Sequence, residues 1–107
     1  MKYLLAACAA LALTACDGGN SPAVRDALLI VKAQDAVRTR LRDPSSATFS
    51  GEHVGRDGVF VCGTVNARNG FGGMSGGERF VAGSVAAVLE TDDAAGFAGL
   101  WSDVCAR

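Results

Sequence analysis

A chain of 107 residues, with ten Lys and Arg set against eleven Asp and Glu, has room for one domain and one modest core. The near-neutral balance excludes the dense cationic surface on which nucleic-acid binders depend. Half of the residues are hydrophobic and a fifth are charged, the composition of a chain that folds rather than one that stays disordered.

Met1 and Lys2 precede an apolar run from Tyr3 to Leu13, and a short cationic start before a run of this length has the form of a secretory signal peptide. A permanent span needs roughly 20 apolar residues, whereas Asp17-Gly18-Gly19-Asn20 follows almost at once. At the end of the run, Leu13-Thr14-Ala15-Cys16 resembles the lipobox of bacterial lipoproteins. That resemblance implies a diacylglyceryl thioether on Cys16, cleavage between Ala15 and Cys16, and often a further acyl chain such as palmitate on the new amine. Several chains together make a stable membrane anchor. The expected organisation is a signal peptide over 1–15, the lipidated cysteine and tether over 16–21, and a single domain over 22–107. The expected location is the cell-envelope membrane, facing the periplasm. Asp17 resembles the inner-membrane retention signal of enterobacterial lipoproteins, which favours that membrane. The tether Asp17 to Ser21 reaches at most about 17 Å, so the domain is expected close to the bilayer.

Ser21-Pro22 has the chemistry of a helix start, a serine cap followed by a proline whose missing N–H costs nothing in the first turn. The helix is predicted to run to about Arg42. Ala23, Ala27, Ile30, Val37 and Leu41 mark one face, with Gln34 as an exception, and Val24, Leu28, Leu29 and Val31 are expected to widen that stripe. Arg38, Arg40 and Arg42 favour the negative pole of the helix, and Asp43-Pro44 ends it. The pattern then becomes extended. Thr48 to Val54 alternates weakly, Gly55-Arg56-Asp57-Gly58 is a turn, and Val59 to Val65 is a β-branched strand, together a hairpin. Asn66 to Gly77 is a loop with five glycines. Arg79 to Ala82 and Val85 to Glu90 are expected to pair across Gly83-Ser84. Asp92 or Asp93 caps a final helix carrying Phe97, Trp101 and Cys105 at four-residue steps on one side. The fold class is therefore α+β: an N-terminal helix, a small antiparallel sheet of three to four strands, and a C-terminal helix.

Cys8 leaves with the leader and lipid consumes Cys16, so Cys62 and Cys105 remain as an even pair. In an exported chain that suggests one disulfide, here tying the last helix to the sheet. A zinc site is the competing reading, for which two distant cysteines and a single histidine, His53, form a poor ligand set. No metal or other cofactor is expected.

Three stretches resemble, in order, a group of small uncharacterised bacterial and prophage-borne proteins: Asp43-Pro44-Ser45-Ser46-Ala47-Thr48-Phe49, Val61 to Asn69, and Gly72-Gly73-Met74-Ser75-Gly76 with Phe80. Phe97, Trp101 and Cys105 match the closing pattern, and Met74 stands where that group has tyrosine. The resemblance supports the domain boundaries and the cysteine pairing and implies no reaction.

No catalytic set is apparent. His53 has no obvious cysteine or serine nucleophile as partner, Ser45, Ser46, Ser75 and Ser84 sit in turn contexts, and Glu52, Glu78 and Glu90 suit a solvated strand face as well as a carboxylate pair. The glycine loop follows a strand as phosphate cradles do, but lacks the closing Gly-Lys-Ser/Thr, and another strand follows it. It is expected to need positive φ angles and side-chain bonds to its own backbone. Asn66, Arg68, Asn69 and Met74 are its candidate binding residues. The preferred expectation is a membrane-tethered binding module that meets an envelope protein through this loop or the first helix, with no nucleic-acid partner. The alternative is a small periplasmic enzyme whose site joins His53, Arg68 and Glu78. The lipobox reading predicts that the mature protein purified from membranes begins at Cys16 and carries acyl mass. An intact mass without acyl chains would contradict it.

Overall fold

The computed structural model describes residues 21–106. The predicted signal peptide, Cys16 and most of the tether lie outside the described residues. The elements are α1 (Pro22–Arg38), β1 (Thr48–Val54), β2 (Val61–Asn66), β3 (Glu78–Ala82), β4 (Ala87–Leu89) and α2 (Ala94–Val104), with short 3₁₀ turns at Pro44–Ser46 and Glu90–Asp92. The strands form one antiparallel sheet in chain order. This is the α+β class expected from the sequence.

Alternation along the strands gives the sheet two buried faces. Val61, Val65, Phe80, Ala82, Ala87 and Leu89 pack with Ala33, Ala36 and Val37 of α1. On the other face Cys62 and Val81 meet Phe97 and Cys105, rimmed by Leu100, Trp101 and Val104. The Cys62–Cys105 disulfide is formed, with Cα atoms 5.8 Å apart, so neither sulfur is a free thiolate for zinc. Closing a loop of this length is worth roughly 4 kcal/mol in the chain-entropy model.

A bulge in β1 explains why its alternation is weak. The pairing of β1 with β2 shifts register between Ser50 and His53, where Gly51 has φ +63°, a value that glycine adopts without strain. The extra residue lets Phe49 and Val54, an odd number apart, both pack on the α1 core. It also turns His53 to the α2 side, beside Trp101.

The start of α1 follows the sequence. Ser21 is the cap, its Oγ accepting from the Val24 N–H at 3.3 Å, and Pro22 occupies the first turn. Its end does not, for the helix stops at Arg38 instead of Arg42. Thr39 Oγ1 donates to the Ala36 carbonyl at 2.6 Å, and the N–H groups of Arg40 and Leu41 donate to carbonyls three residues back. Arg40 is drawn across the fold, donating to the Ala87 carbonyl at 2.8 Å and to both oxygens of Asp92. The stripe also differs. Ala33, Ala36 and Val37 are buried, whereas Val24, Leu28 and Val31 are exposed and do not widen the core face. Gln34, the exception on that face, donates to Glu52 of β1 at 2.9 Å.

Two hairpins are looser than the sequence suggested. Asp57 Oδ1 accepts the N–H groups of Val59 and Phe60, which prolongs the first turn so that β2 begins at Val61 rather than Val59. The second turn spans Gly83 to Ala86, closed by the Gly83 N–H on the Ala86 carbonyl at 2.8 Å. Ala87 then pairs with Ala82 and Leu89 with Phe80, which leaves Val85 at the exposed tip. At the C-terminal helix the choice between two caps resolves to Asp93, which accepts from the Gly96 N–H.

Phe80 is fully buried, meets Phe49 edge-on at 5.8 Å and lies so close over Gly63 that a Cβ there would fall 2.9 Å from its Cζ. Phe80→Ala should cost about 3–5 kcal/mol in urea unfolding, a large share of the stability of a domain this size. A loss below about 1 kcal/mol would contradict the placement of Phe80 at the centre of the core.

Candidate functional site

The loop after β2 is held by its own polar groups. Ala67 and Ser75 clasp its base, the Ser75 N–H donating to the Ala67 carbonyl at 2.7 Å and Ser75 Oγ accepting from the Ala67 N–H at 3.2 Å. Arg68 bridges Met74 as an isolated β pair. Asn69 folds the tip: its N–H donates to the Gly73 carbonyl at 2.7 Å, and its Oδ1 accepts from the Phe71 N–H at 3.0 Å. Asn66 Oδ1 accepts from the Gly76 N–H at 3.0 Å. Gly72 and Gly76 have φ +83° and +79°, where side-chain-bearing residues are strained. Of the candidate binding residues, the two asparagines shape the loop, while Arg68 and Met74 remain exposed on its surface.

Phe71 stands at the tip and is 99% exposed. Sequence reasoning passed over it, and the available signal was a lone aromatic among five glycines.

Between this loop, the segment after α1 and the end of β4 lies an open cleft of about 210 Å³, lined among others by Arg40, Arg42, Arg68, Glu78 and Thr91. Its charges differ in what they have left to offer. Arg40 is committed to Asp92 at 2.8 Å. Glu78 accepts from the Thr91 N–H at 3.1 Å and from its hydroxyl. Arg68 Nε lies 3.7 Å from Asp43, a loose exposed pair, and its N–H donates to Ser46 Oγ at 2.8 Å. The Arg42 side chain lies against Gly70 of the loop, where an added Cβ would meet its Nε at 3.3 Å. Among the described residues Arg42 makes no ion pair, so it faces the cleft unpaired and Arg68 faces it with only the loose Asp43 contact. An acidic or amide-bearing group is the complement of such a wall.

The three residues of the enzymatic alternative are not brought together. Glu78 pairs with Val65 near one end of β2, and Arg68 follows that same end. His53 pairs with Cys62 at the other end, with Nδ1 3.1 Å from the Gly51 carbonyl and Nε2 3.2 Å from the Cys105 carbonyl. Nor do the other carboxylates meet. Glu52 serves Gln34, and Glu90 accepts from Arg79 Nε at 3.0 Å, while the Arg79 guanidinium lies 5.0 Å from the Trp101 ring centre. Among the described residues no three His, Cys, Asp or Glu side chains gather as a metal site, and no helix is long and apolar enough to cross a membrane.

Comparison of the chain with protein-family models, with curated proteins and with solved structures gives no match.

The hydrogen bond from Arg40, followed by that from the Leu89 N–H, holds the Asp92 carboxyl below the ordinary carboxylate range, and the Arg40 guanidinium is pushed up in return by the same partner. A carboxyl whose folded value lies below its unfolded value of about 4 stabilises the fold above that pH and loses its contribution as pH falls. Both side chains are a third or more exposed, so the contribution is at most about 1 kcal/mol. Asp92→Asn should therefore be less stable than the parent at neutral pH, and the gap should close as the pH falls below about 4. A gap that persists in acid would show that the pair is not its source.

Proposed function

We propose that the protein is a lipid-anchored binding module of the cell envelope, attached through Cys16 and presenting the loop 67–77 to a protein partner. The observation that carries this reading is Phe71, 99% exposed on a tip fixed by the bonds of Asn69. A large aromatic on a pre-ordered support loses little freedom on binding, and side chains of this kind supply a large part of the affinity at interfaces. Met74 adds apolar surface on the same loop, and the neighbouring cleft offers Arg42 and Arg68 to an acidic group. The partner that fits is a protein with an apolar pocket beside a carboxylate. The arrangement suits recognition better than turnover, because the hydroxyls that line the cleft beside these cations are engaged, Ser75 with Ala67 and Gly76 and Thr91 with Glu78, and His53 pairs at the other end of β2.

Crosslinking in native membranes, followed by capture and mass spectrometry, tests the proposal when the parent is compared with Phe71→Ser. Phe71 makes no buried contact, so folding should be unchanged, while a partner recognised through the tip should bind roughly 30-fold more weakly. Equal recovery of the same partner from both proteins would contradict the assignment of the loop, and no specific partner from either would contradict a protein ligand.

A further inference from the structure

The side of α1 turned away from the sheet is apolar as well. Val24, Leu28 and Val31 follow one another at steps of four and three, a single stripe along the helix, and are 37%, 56% and 53% exposed. Ala33, fully buried against the sheet, stands nine residues from Val24, two and a half helical turns, so the stripe lies on the opposite side. Arg25 and Lys32 run along one flank, and with Leu28 and Leu29 they line a shallow depression of about 240 Å³. Asp26, two residues beyond Val24, falls on the other side of the helix. The next position of the stripe is Asp35, held by Arg38 at 3.1 Å. The outward apolar surface thus ends at Val31, a little past the middle of the helix.

We propose that this part of α1 lies in the headgroup layer of an anionic bilayer, with Val24, Leu28 and Val31 directed into it and Arg25 and Lys32 on lipid phosphates. The inference rests on the lipid anchor at Cys16. An apolar stripe beside basic residues is the pattern of helices that lie in the membrane interface. The short tether holds the helix at the surface, so even a weak partition is effective. A second copy of the chain is the poorer occupant, because a helix-pair seam runs over several heptads, whereas this one meets a charge at Asp35.

Trp101, on α2, is the only tryptophan, so Leu28→Trp adds one reporter to an internal control. The full chain, purified from membranes, is reconstituted into phosphatidylcholine vesicles with or without phosphatidylglycerol, with brominated acyl chains as quencher. The added emission should fall by roughly half or more when phosphatidylglycerol is present. It should recover in Arg25→Gln/Lys32→Gln, and Trp101 in the parent should stay unquenched. Added emission quenched no more than Trp101 would overturn the proposal, and a crosslinked dimer under those conditions would identify a second copy as the occupant instead. The intact mass of the same sample separates this inference from the anchor. Acylated protein without quenching removes the bilayer contact alone, whereas quenching without acyl mass keeps the contact and removes the anchor.

Discussion

The Cys62–Cys105 bond carries the second layer of this domain. α2 has eleven residues and completes its face of the sheet with few buried side chains, Phe97 and Cys105 against Cys62 and Val81. The opposite face has a longer helix and nine buried side chains in one cluster. A contact patch as small as that under α2 gains little from burial relative to the entropy of fixing a helix, and the covalent link lowers that cost by restricting the unfolded chain. Around the bond, the Cys105 carbonyl lies beside His53, and Arg56 Nε donates to the Ala106 carbonyl at 2.7 Å. The chain end is thereby stitched to β1 and to the turn that follows it.

The fold also sets apart what the proposed function needs to keep apart. α1 is about 25 Å long, and it runs from the tether at Ser21 to the Arg40–Arg42 segment that lines the cleft. On the proposed reading, the membrane contact is at the start of α1 and the recognition loop is beside the segment that follows its end. A partner can then reach Phe71 without displacing the helix from lipid. The early end of α1 is part of this arrangement, because Arg40 must leave the helix to reach Ala87 and Asp92, and that turn brings Arg42 over Gly70.

Most of what was legible in the sequence was local, the disulfide apart. Ser21 and Pro22 announce the start of α1 through their own chemistry, Asp93 caps α2 from one residue away, and the even pair of cysteines pointed to the disulfide. The parts that were not legible depend on distant residues. The end of α1 is set by partners 47 and 52 residues further along the chain. The start of β2 is delayed by one carboxylate, that of Asp57. The weak alternation of β1 came from a bulge that reverses the facing of its last residues, and period-two reading has no means of placing one. α1 misled for a different reason: it has two apolar sides, and hydrophobic periodicity merges them into one broad stripe when only one packs on the sheet. At the candidate site, the glycines and asparagines marked a shaped loop, but the exposure of Phe71 and the availability of Arg42 follow from the cleft around them.

Amide hydrogen exchange in the oxidised and the reduced protein shows how far α2 depends on the disulfide. If the bond between Cys62 and Cys105 holds the second layer on, reduction should expose the amides of α2 while those of α1, β2 and β3 keep most of their protection. Unchanged protection of α2 after reduction, or an equal loss across every element, would contradict a layer held mainly by that bond.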